Sequence, residues 1–158
     1  MKKILLWSIA LISIIGFSAC SSDDGVSGLA EGRYAVTRVT NMVGLPPTVS
    51  FTPLKDEVSL SIDAVADYFV DVTLPSTKYV FNGQNMEIPA LVLENIPVIS
   101  DNENGVYFPN HTFKQDNGKY IEGTITGEIE EDGDVELTVQ YKYGSMPFQI
   151  NKVFTDID

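Results

Sequence analysis

The chain has little of several residue types on which protein chemistry commonly depends. Its 158 residues include one cysteine, Cys20, one histidine, His111, and one tryptophan, Trp7. A lone cysteine excludes an intramolecular disulfide, and these counts exclude a metal site built from several imidazoles or thiolates within one chain. The sequence also lacks a phosphate-binding glycine loop, a dinucleotide fingerprint and a Gly-x-Ser-x-Gly element. These absences favour a protein that is not an enzyme and uses no cofactor.

Basic residues are also scarce. Ten Lys and Arg stand against 22 Asp and Glu, and the net charge is −12. Nucleic acid needs clustered basic side chains, so the charge balance excludes it as a partner and disfavours docking on anionic lipid through basic residues. Apolar residues make up 44% of the chain, which is too many for a disordered protein. The length and composition therefore predict one domain with a packed core.

No apolar run is long enough to serve readily as a membrane anchor. Met1–Lys3 is a short basic segment, and the apolar run Ile4–Phe17 follows it. As a helix this run would reach roughly 21 Å, short of the ~30 Å hydrocarbon core of a bilayer. A basic start, a short apolar stretch and small residues before a cleavage point are typical of a secretory signal. We therefore expect residues 1–19 to be a signal peptide.

The end of that segment, Phe17-Ser18-Ala19-Cys20, resembles the lipobox of bacterial lipoproteins. Phe17 stands where leucine is commonest in that family. The resemblance implies that the chain is cut before Cys20 and that this cysteine carries acyl chains, such as palmitate. Each buried methylene contributes about 0.8 kcal/mol, so two or three chains would hold the protein on a lipid bilayer.

Ser21-Ser22-Asp23-Asp24-Gly25 follows the cysteine. It resembles the acidic surface-export tag of Bacteroidota lipoproteins, which implies attachment to the outer membrane and display at the cell surface. The plainer interpretation is a solvated tether, because Ser, Asp and Gly favour disordered chain. The export tag and the solvated tether are compatible interpretations. We assign residues 20–31 to a flexible acidic tether.

Apolar residues alternate with polar ones over most of the remaining chain, which predicts antiparallel strands with one buried face. Two such faces lie in the first half and two in the second: Val58, Leu60 and Ile62; Tyr68, Val70, Val72 and Leu74; Ile121, Gly123, Ile125, Gly127 and Ile129; Val135, Leu137, Val139, Tyr141 and Tyr143. Four C-terminal strands should form a meander at about Val106–Phe113, Tyr120–Glu130, Val135–Tyr143 and Phe148–Thr155. The first half is less regular, because prolines interrupt it.

Eight or nine strands and no convincing amphipathic helix define an all-β domain over residues 32–158. The two architectures open to it are a β-sandwich and an antiparallel β-barrel. Short consecutive hairpins favour the barrel, of lipocalin size. Gly123 and Gly127 on the apolar face of one strand favour it too, since they indicate a bend or a close backbone approach, with ligand approach as the alternative.

A lipobox, an acidic tether and one small β domain resemble the uncharacterised lipoproteins of gut Bacteroidota, including those with calycin-like domains. Ile121–Gly127 and Gly144–Phe148 carry the resemblance within the domain, which covers the chain from about Gly32 to its end. The resemblance implies a lipocalin-like fold. It implies no activity, because none is established for these families.

Candidate catalytic and metal-binding residues are few. His111 lies between aromatic residues and is expected in a surface strand or bulge, so a catalytic role is disfavoured. A glycan or ester hydrolase built on a carboxylate pair is the least favoured interpretation, because 22 acids produce many accidental pairs. Asp101–Gly105 and Glu130–Asp134 are oxygen-rich and could suit calcium, but turn chemistry explains both segments. We therefore predict no metal site.

Aromatic side chains are the remaining candidates. Tyr107, Tyr141 and Tyr143 could contact a ligand, since tyrosine combines a flat apolar ring with a polar hydroxyl. For Tyr141 and Tyr143 a place in the core is the favoured interpretation. The sequence predicts a non-catalytic binding module for a glycan, a peptide or a small apolar ligand. A structural or accessory part of an outer-membrane complex is the alternative.

Overall fold

Strands form nearly all of the regular structure in the computed structural model, which describes residues 25–100 and 105–157. One helical turn, α1 (Ser27–Ala30), precedes the strands. The strands are β1 (Gly32–Val43), β2 (Leu54–Ala66), β3 (Phe69–Leu74), β4 (Thr77–Phe81), β5 (Gln84–Ile88), β6 (Leu91–Pro97), β7 (Ile99–Ser100), β8 (Val106–Asp116), β9 (Tyr120–Ile129), β10 (Val135–Tyr143) and β11 (Gln149–Asp156). The predicted signal peptide, Cys20 and Asp101–Asn104 lie outside the described residues.

Nine strands form one antiparallel sheet in the order β6-β3-β2-β1-β11-β10-β9-β8-β7. The first strand pairs with the last, with Thr40 opposite Lys152 and Met42 opposite Ile150. The sheet curls into a nearly closed barrel, and the long strands β6 and β8 meet at its seam. The predicted all-β fold is confirmed, and the architecture is a barrel. The predicted C-terminal meander is confirmed as β8–β11.

The barrel interior is packed with the side chains of the alternating apolar faces. Inward positions on β2, β3 and β10 carry large aliphatic residues that are fully buried, among them Leu60, Ile62, Val72, Leu74 and Leu137. Removal of apolar area from water stabilises the fold by roughly 25 cal/mol per Å². Outward positions on the same strands carry charged and hydroxyl side chains. The core is therefore the inside of the barrel.

The two inward-facing glycines of β9 lie opposite large side chains of β10. Gly123 is paired with Tyr141 and Gly127 with Leu137. A Cβ at Gly123 would overlap the backbone carbonyl of Gln140, and Gly127 has a φ of 146°. The absence of side chains at these two positions lets β10 lie close to β9. Such a close approach is typical of a bend in the sheet.

The strands β4 and β5 form a separate two-stranded hairpin that was not predicted. Its turn is Asn82-Gly83, with φ angles of 49° and 77°. Asn-Gly with positive φ at both positions is a strong hairpin signal, so the sequence did contain the information. The hairpin lies between β3 and β6 and packs Phe81 against Phe148, with ring centroids 5.8 Å apart. It covers one end of the barrel, which we call the hairpin end.

At the opposite end, α1 packs near the β2–β3 turn. Ser27 and Ala30 are buried. The Ser27 N–H donates to the Asp67 carbonyl, and the Tyr34 hydroxyl donates to the Ala30 carbonyl at 2.9 Å. These residues were assigned to the tether, which was placed at residues 20–31. The packed part of the chain therefore includes Ser27–Ala30.

Candidate functional site

The three tyrosines proposed as ligand contacts lie in different surroundings. Tyr107 is an exposed side chain of β8, opposite Ile99 of β7. Tyr141 is fully buried inside the barrel, so its ring is not presented at the protein surface. Tyr143 is half-buried at the hairpin end of β10. The structure does not bring the three together, and Tyr143 borders a groove.

That groove follows the seam of the barrel and has a volume of about 310 Å³. We call it the seam groove; its lining includes Val92, Glu94, Gln115, Lys119, Ile121 and Tyr143. Tyr143 and Ile121 lie opposite each other on β10 and β9, and Val92 is 44% exposed. The groove therefore combines an apolar lining with an exposed strand.

Within the described residues, β6 and β8 are joined by no backbone ladder. A side chain makes the link instead, because Gln115 Nε2 donates to the Val92 carbonyl at 2.9 Å. The other amide atom, Gln115 Oε1, is buried without a partner. Since the Val92 carbonyl points into the seam, its N–H points there as well. Along this edge, no strand of the described residues pairs with the main-chain groups of β6 that face the groove.

Charged side chains flank the apolar lining. Lys119 Nζ lies 5.3 Å from the centroid of the Tyr143 ring, within the range of a cation–π contact. Glu94 also borders the groove. The arrangement can recognise a main chain through β6 and side chains of either charge at its margins.

A second group of polar residues lies inside the barrel at the hairpin end. Lys152 is fully buried on β11, and its Nζ lies 5.7 Å from the centroid of the Tyr141 ring. The pKa of Lys152 is lowered to about 7, mainly by burial and also by the nearby Arg38 guanidinium, and Asp56 partly opposes the shift. Burial also raises the pKa of Tyr141. Arg38 and Lys152 were not among the predicted site residues, although each is a cation at an inward position of an apolar face.

Arg38 is almost fully buried and hydrogen-bonded on several sides. Its guanidinium donates to both carboxylate oxygens of Asp56 and to the carbonyls of Pro75 and Ser76. Those two carbonyls belong to the connection between β3 and β4. Arg38 therefore joins the barrel wall to the base of the β4–β5 hairpin.

The acidic turn considered for calcium is held by its own hydrogen bonds. The Gly133 N–H donates to the Glu130 carbonyl, and the Asp134 N–H donates to Asp132 Oδ1. Repulsion from Asp132 is the largest cause that raises the pKa values of Glu130 and Asp134. Among residues 25–100 and 105–157, no group of three or more His, Cys, Asp or Glu side chains could hold a metal ion. The other segment considered, Asp101–Gly105, lies largely outside the described residues.

His111 was expected in a surface strand or bulge, and it lies on β8 beside a change of register. The pairing of β8 with β9 shifts register between Phe108 and His111, which is a β-bulge. His111 faces Ile125 of β9 and is half-buried. The predicted bulge is confirmed.

Comparison with known proteins gives one likeness of fold. No protein-family model and no curated protein matches the chain. A solved structure of a Bacteroides fragilis protein, provisionally identified as an outer membrane protein, is similar with a TM-score of 0.62 and 19% sequence identity. The likeness covers 84% of this chain and 52% of that one, so this chain spans about half the length of that protein. In the part of the chain that the structure describes, no helix has the length and apolarity to cross a membrane.

Proposed function

We propose that this protein is a lipoprotein of the outer membrane, anchored through acylated Cys20 and displayed at the cell surface, and that its barrel is a non-catalytic module that binds an extended peptide. The outer-membrane description of the structurally similar Bacteroides fragilis protein supports the location. The lipobox-like sequence before Cys20 supports the anchor.

One observation carries the binding proposal: at the edge of β6, the Val92 carbonyl is bonded by a side chain and by no neighbouring strand of residues 25–100 and 105–157. An extended peptide adds to such an edge by main-chain hydrogen bonds, and adjacent pockets select its side chains. The peptide N–H would replace the Gln115 amide at Val92. Its side chains would then lie against Ile121 and Tyr143, and charged ones would meet Lys119 or Glu94.

The geometry favours a peptide over the two other ligand classes. A small apolar ligand would need an apolar cavity, and the apolar positions inside the barrel are filled by packed side chains. A glycan is usually stacked on exposed aromatic rings. The seam groove presents one aromatic ring, Tyr143, and Lys119 lies over that ring.

A heptapeptide display library, panned against the purified whole chain, tests the proposal. Peptides with alternating apolar residues should be enriched, and Val92→Pro should weaken their binding at least tenfold because it removes the N–H that faces the seam. Gln115→Ala should strengthen binding severalfold, since it frees the Val92 carbonyl. Tyr107→Ala is the matched control and should bind normally.

Enrichment of no peptide, or equal losses in Val92→Pro and Tyr107→Ala, would disprove the peptide site. A glycan array probed in parallel tests whether the ligand is a glycan instead of a peptide.

The same edge would serve an accessory role in an outer-membrane assembly if the extended segment belonged to a partner protein. Crosslinking from position 92 in intact cells separates the two roles, since an accessory subunit should give one stable adduct.

A further inference from the structure

In the part of the chain that the structure describes, four buried polar atoms without hydrogen-bond partners belong to residues at the hairpin end of the barrel: Lys152 Nζ, Tyr141 Oη, Thr40 Oγ1 and Thr77 Oγ1. We call their residues the interior polar cluster. Thr40 is directly opposite Lys152 across β1 and β11, and Tyr141 lies on β10, the other neighbour of β11. Thr77 begins the hairpin and directly follows Ser76, whose carbonyl bonds to Arg38. Three members thus come from the barrel wall and one from the hairpin that covers it.

Such a concentration is costly in an otherwise apolar interior. A buried polar group without a partner costs about 1–3 kcal/mol, and an ionised group costs more. Native proteins contain few such groups, and those they contain have a partner or a function. The cluster therefore calls for a partner, which is either ordered water or a bound ligand.

The polar groups of the cluster favour a ligand that accepts hydrogen bonds. The Lys152 ammonium has three N–H donors, and the tyrosine and threonine hydroxyls can each donate one hydrogen. The carboxylate that faces this region, Asp56, is held by both of its oxygens on Arg38. Positive charge and hydrogen-bond donors are therefore in excess, which suits an anion.

We propose that the interior polar cluster binds a small carboxylate anion. The close packing of the surrounding core limits the ligand to a few atoms. Two carboxylate oxygens can accept hydrogen bonds from Lys152 and from the hydroxyls around it. This site is separate from the seam groove and does not depend on it.

The route of entry is the β4–β5 hairpin. The hairpin forms its own two-stranded sheet, and no described strand of the barrel sheet pairs with it. Its base is held by hydrogen bonds from Arg38 to the Pro75 and Ser76 carbonyls, and its inner face by the buried Tyr79. For the anion to enter, the hairpin would move aside and then return Thr77 to the site.

Sodium formate is the probe, and an NMR titration of Lys152 in the purified whole chain is the measurement. The groups that face Lys152 are Arg38 of β1, Asp56 of β2 and Tyr141 of β10, with Tyr79 of β4 beside Tyr141. Formate should raise the pH at which Lys152 loses its proton. Formate affinity should be about tenfold higher at pH 6 than at pH 8, because the ammonium with a pKa of about 7 is present mainly at the lower pH.

Sodium sulfate at equal ionic strength and two variants complete the design. Thr40→Val removes one donor without changing the side-chain shape and should weaken formate binding severalfold. Lys142→Met, which changes an exposed lysine on the outer face of β10, should leave binding unchanged. No effect of formate on Lys152, or an equal effect of sulfate, would overturn the proposal and leave ordered water as the partner of the cluster.

Discussion

Arg38 and Asp56 face each other across β1 and β2, and the guanidinium donates to both carboxylate oxygens, at 2.9 and 2.5 Å. The two ends of the pair differ in exposure, since the Arg38 side chain is 2% exposed and the Asp56 side chain 46%. The remaining Arg38 bonds go to carbonyls at the base of the hairpin. One buried cation therefore couples the wall of the barrel to the element that covers its end.

Asp56→Asn should destabilise the protein by about 2–3 kcal/mol. Removing one partner of a buried ion pair leaves an uncompensated charge, which costs about 3–5 kcal/mol when both ends are buried and less when one is partly solvated. Urea denaturation followed by circular dichroism measures the change. Asp63→Asn is the matched control, since Asp63 pairs with the exposed Arg33, and it should change stability by less than about 1 kcal/mol. Equal effects would mean that Arg38 is satisfied without Asp56.

Lys152 should make stability rise with pH. Its pKa is about 7 in the folded protein and 10.5 when unperturbed, and burial is the main cause of the lowering. Between these values the unfolded chain binds one proton more than the folded chain. Unfolding free energy should therefore increase from about pH 7 upward, by at most about 1.4 kcal/mol per pH unit from this group. Denaturation midpoints at pH 6, 7.5 and 9 measure the slope.

Lys152→Met should flatten that slope and stabilise the protein at pH 6, since a buried unpaired cation is replaced by an apolar chain of similar length. Lys142→Met should keep the slope of the unmodified protein. A slope that persists in Lys152→Met would assign the pH dependence to another group.

Gly123→Ala should cost about 3 kcal/mol or more. Its Cβ would overlap the Gln140 carbonyl and lie 2.7 Å from the Tyr141 Cα, and backbone cannot move aside as a side-chain tip can. Gly118→Ala is the comparison, because that turn glycine has a φ of 84° and no atom within 4 Å of the added carbon. It should cost about 1 kcal/mol, from conformation alone. Similar losses would show that β10 can shift away from β9.

Cys20→Ala should release the protein from the membrane fraction. The thiol is the proposed point of acylation, and without acyl chains the anchor is lost. Fractionation of cells and mass spectrometry of the mature N-terminus measure the outcome, with Ser22→Ala as the control that stays bound. A Cys20→Ala protein that remains with the membranes would contradict lipid anchoring.

The predicted bounds of β9, β10 and β11 agree with the structure to within one residue, whereas β8 continues three residues beyond its predicted end at Phe113. Strict alternation over Val135–Tyr143 allows one buried face, and the turn at Asp116–Gly118 suits a tight hairpin. The first half was harder because its prolines break the alternation. The β4–β5 hairpin could also be predicted from the sequence, since Asn82-Gly83 carries the same type of turn signal.

The interior polar cluster could not be assembled from the sequence in the same way. Lys152 lies between Ile150 and Phe154 on an alternating face, and that pattern alone marks it as an inward cation. Its neighbours come from β1, β4 and β10, which are far apart in the chain. Which side chains surround it depends on the pairing of β11 with both β1 and β10.

Local chemistry was sufficient to specify strands and tight turns, because each depends on residues near in sequence. Closure of the sheet by β1 and β11, the seam at Val92 and the burial of Tyr141 were decided by the tertiary structure. These features arise when strands distant in sequence meet, and strand register then determines which side chains face the core, the groove or the solvent.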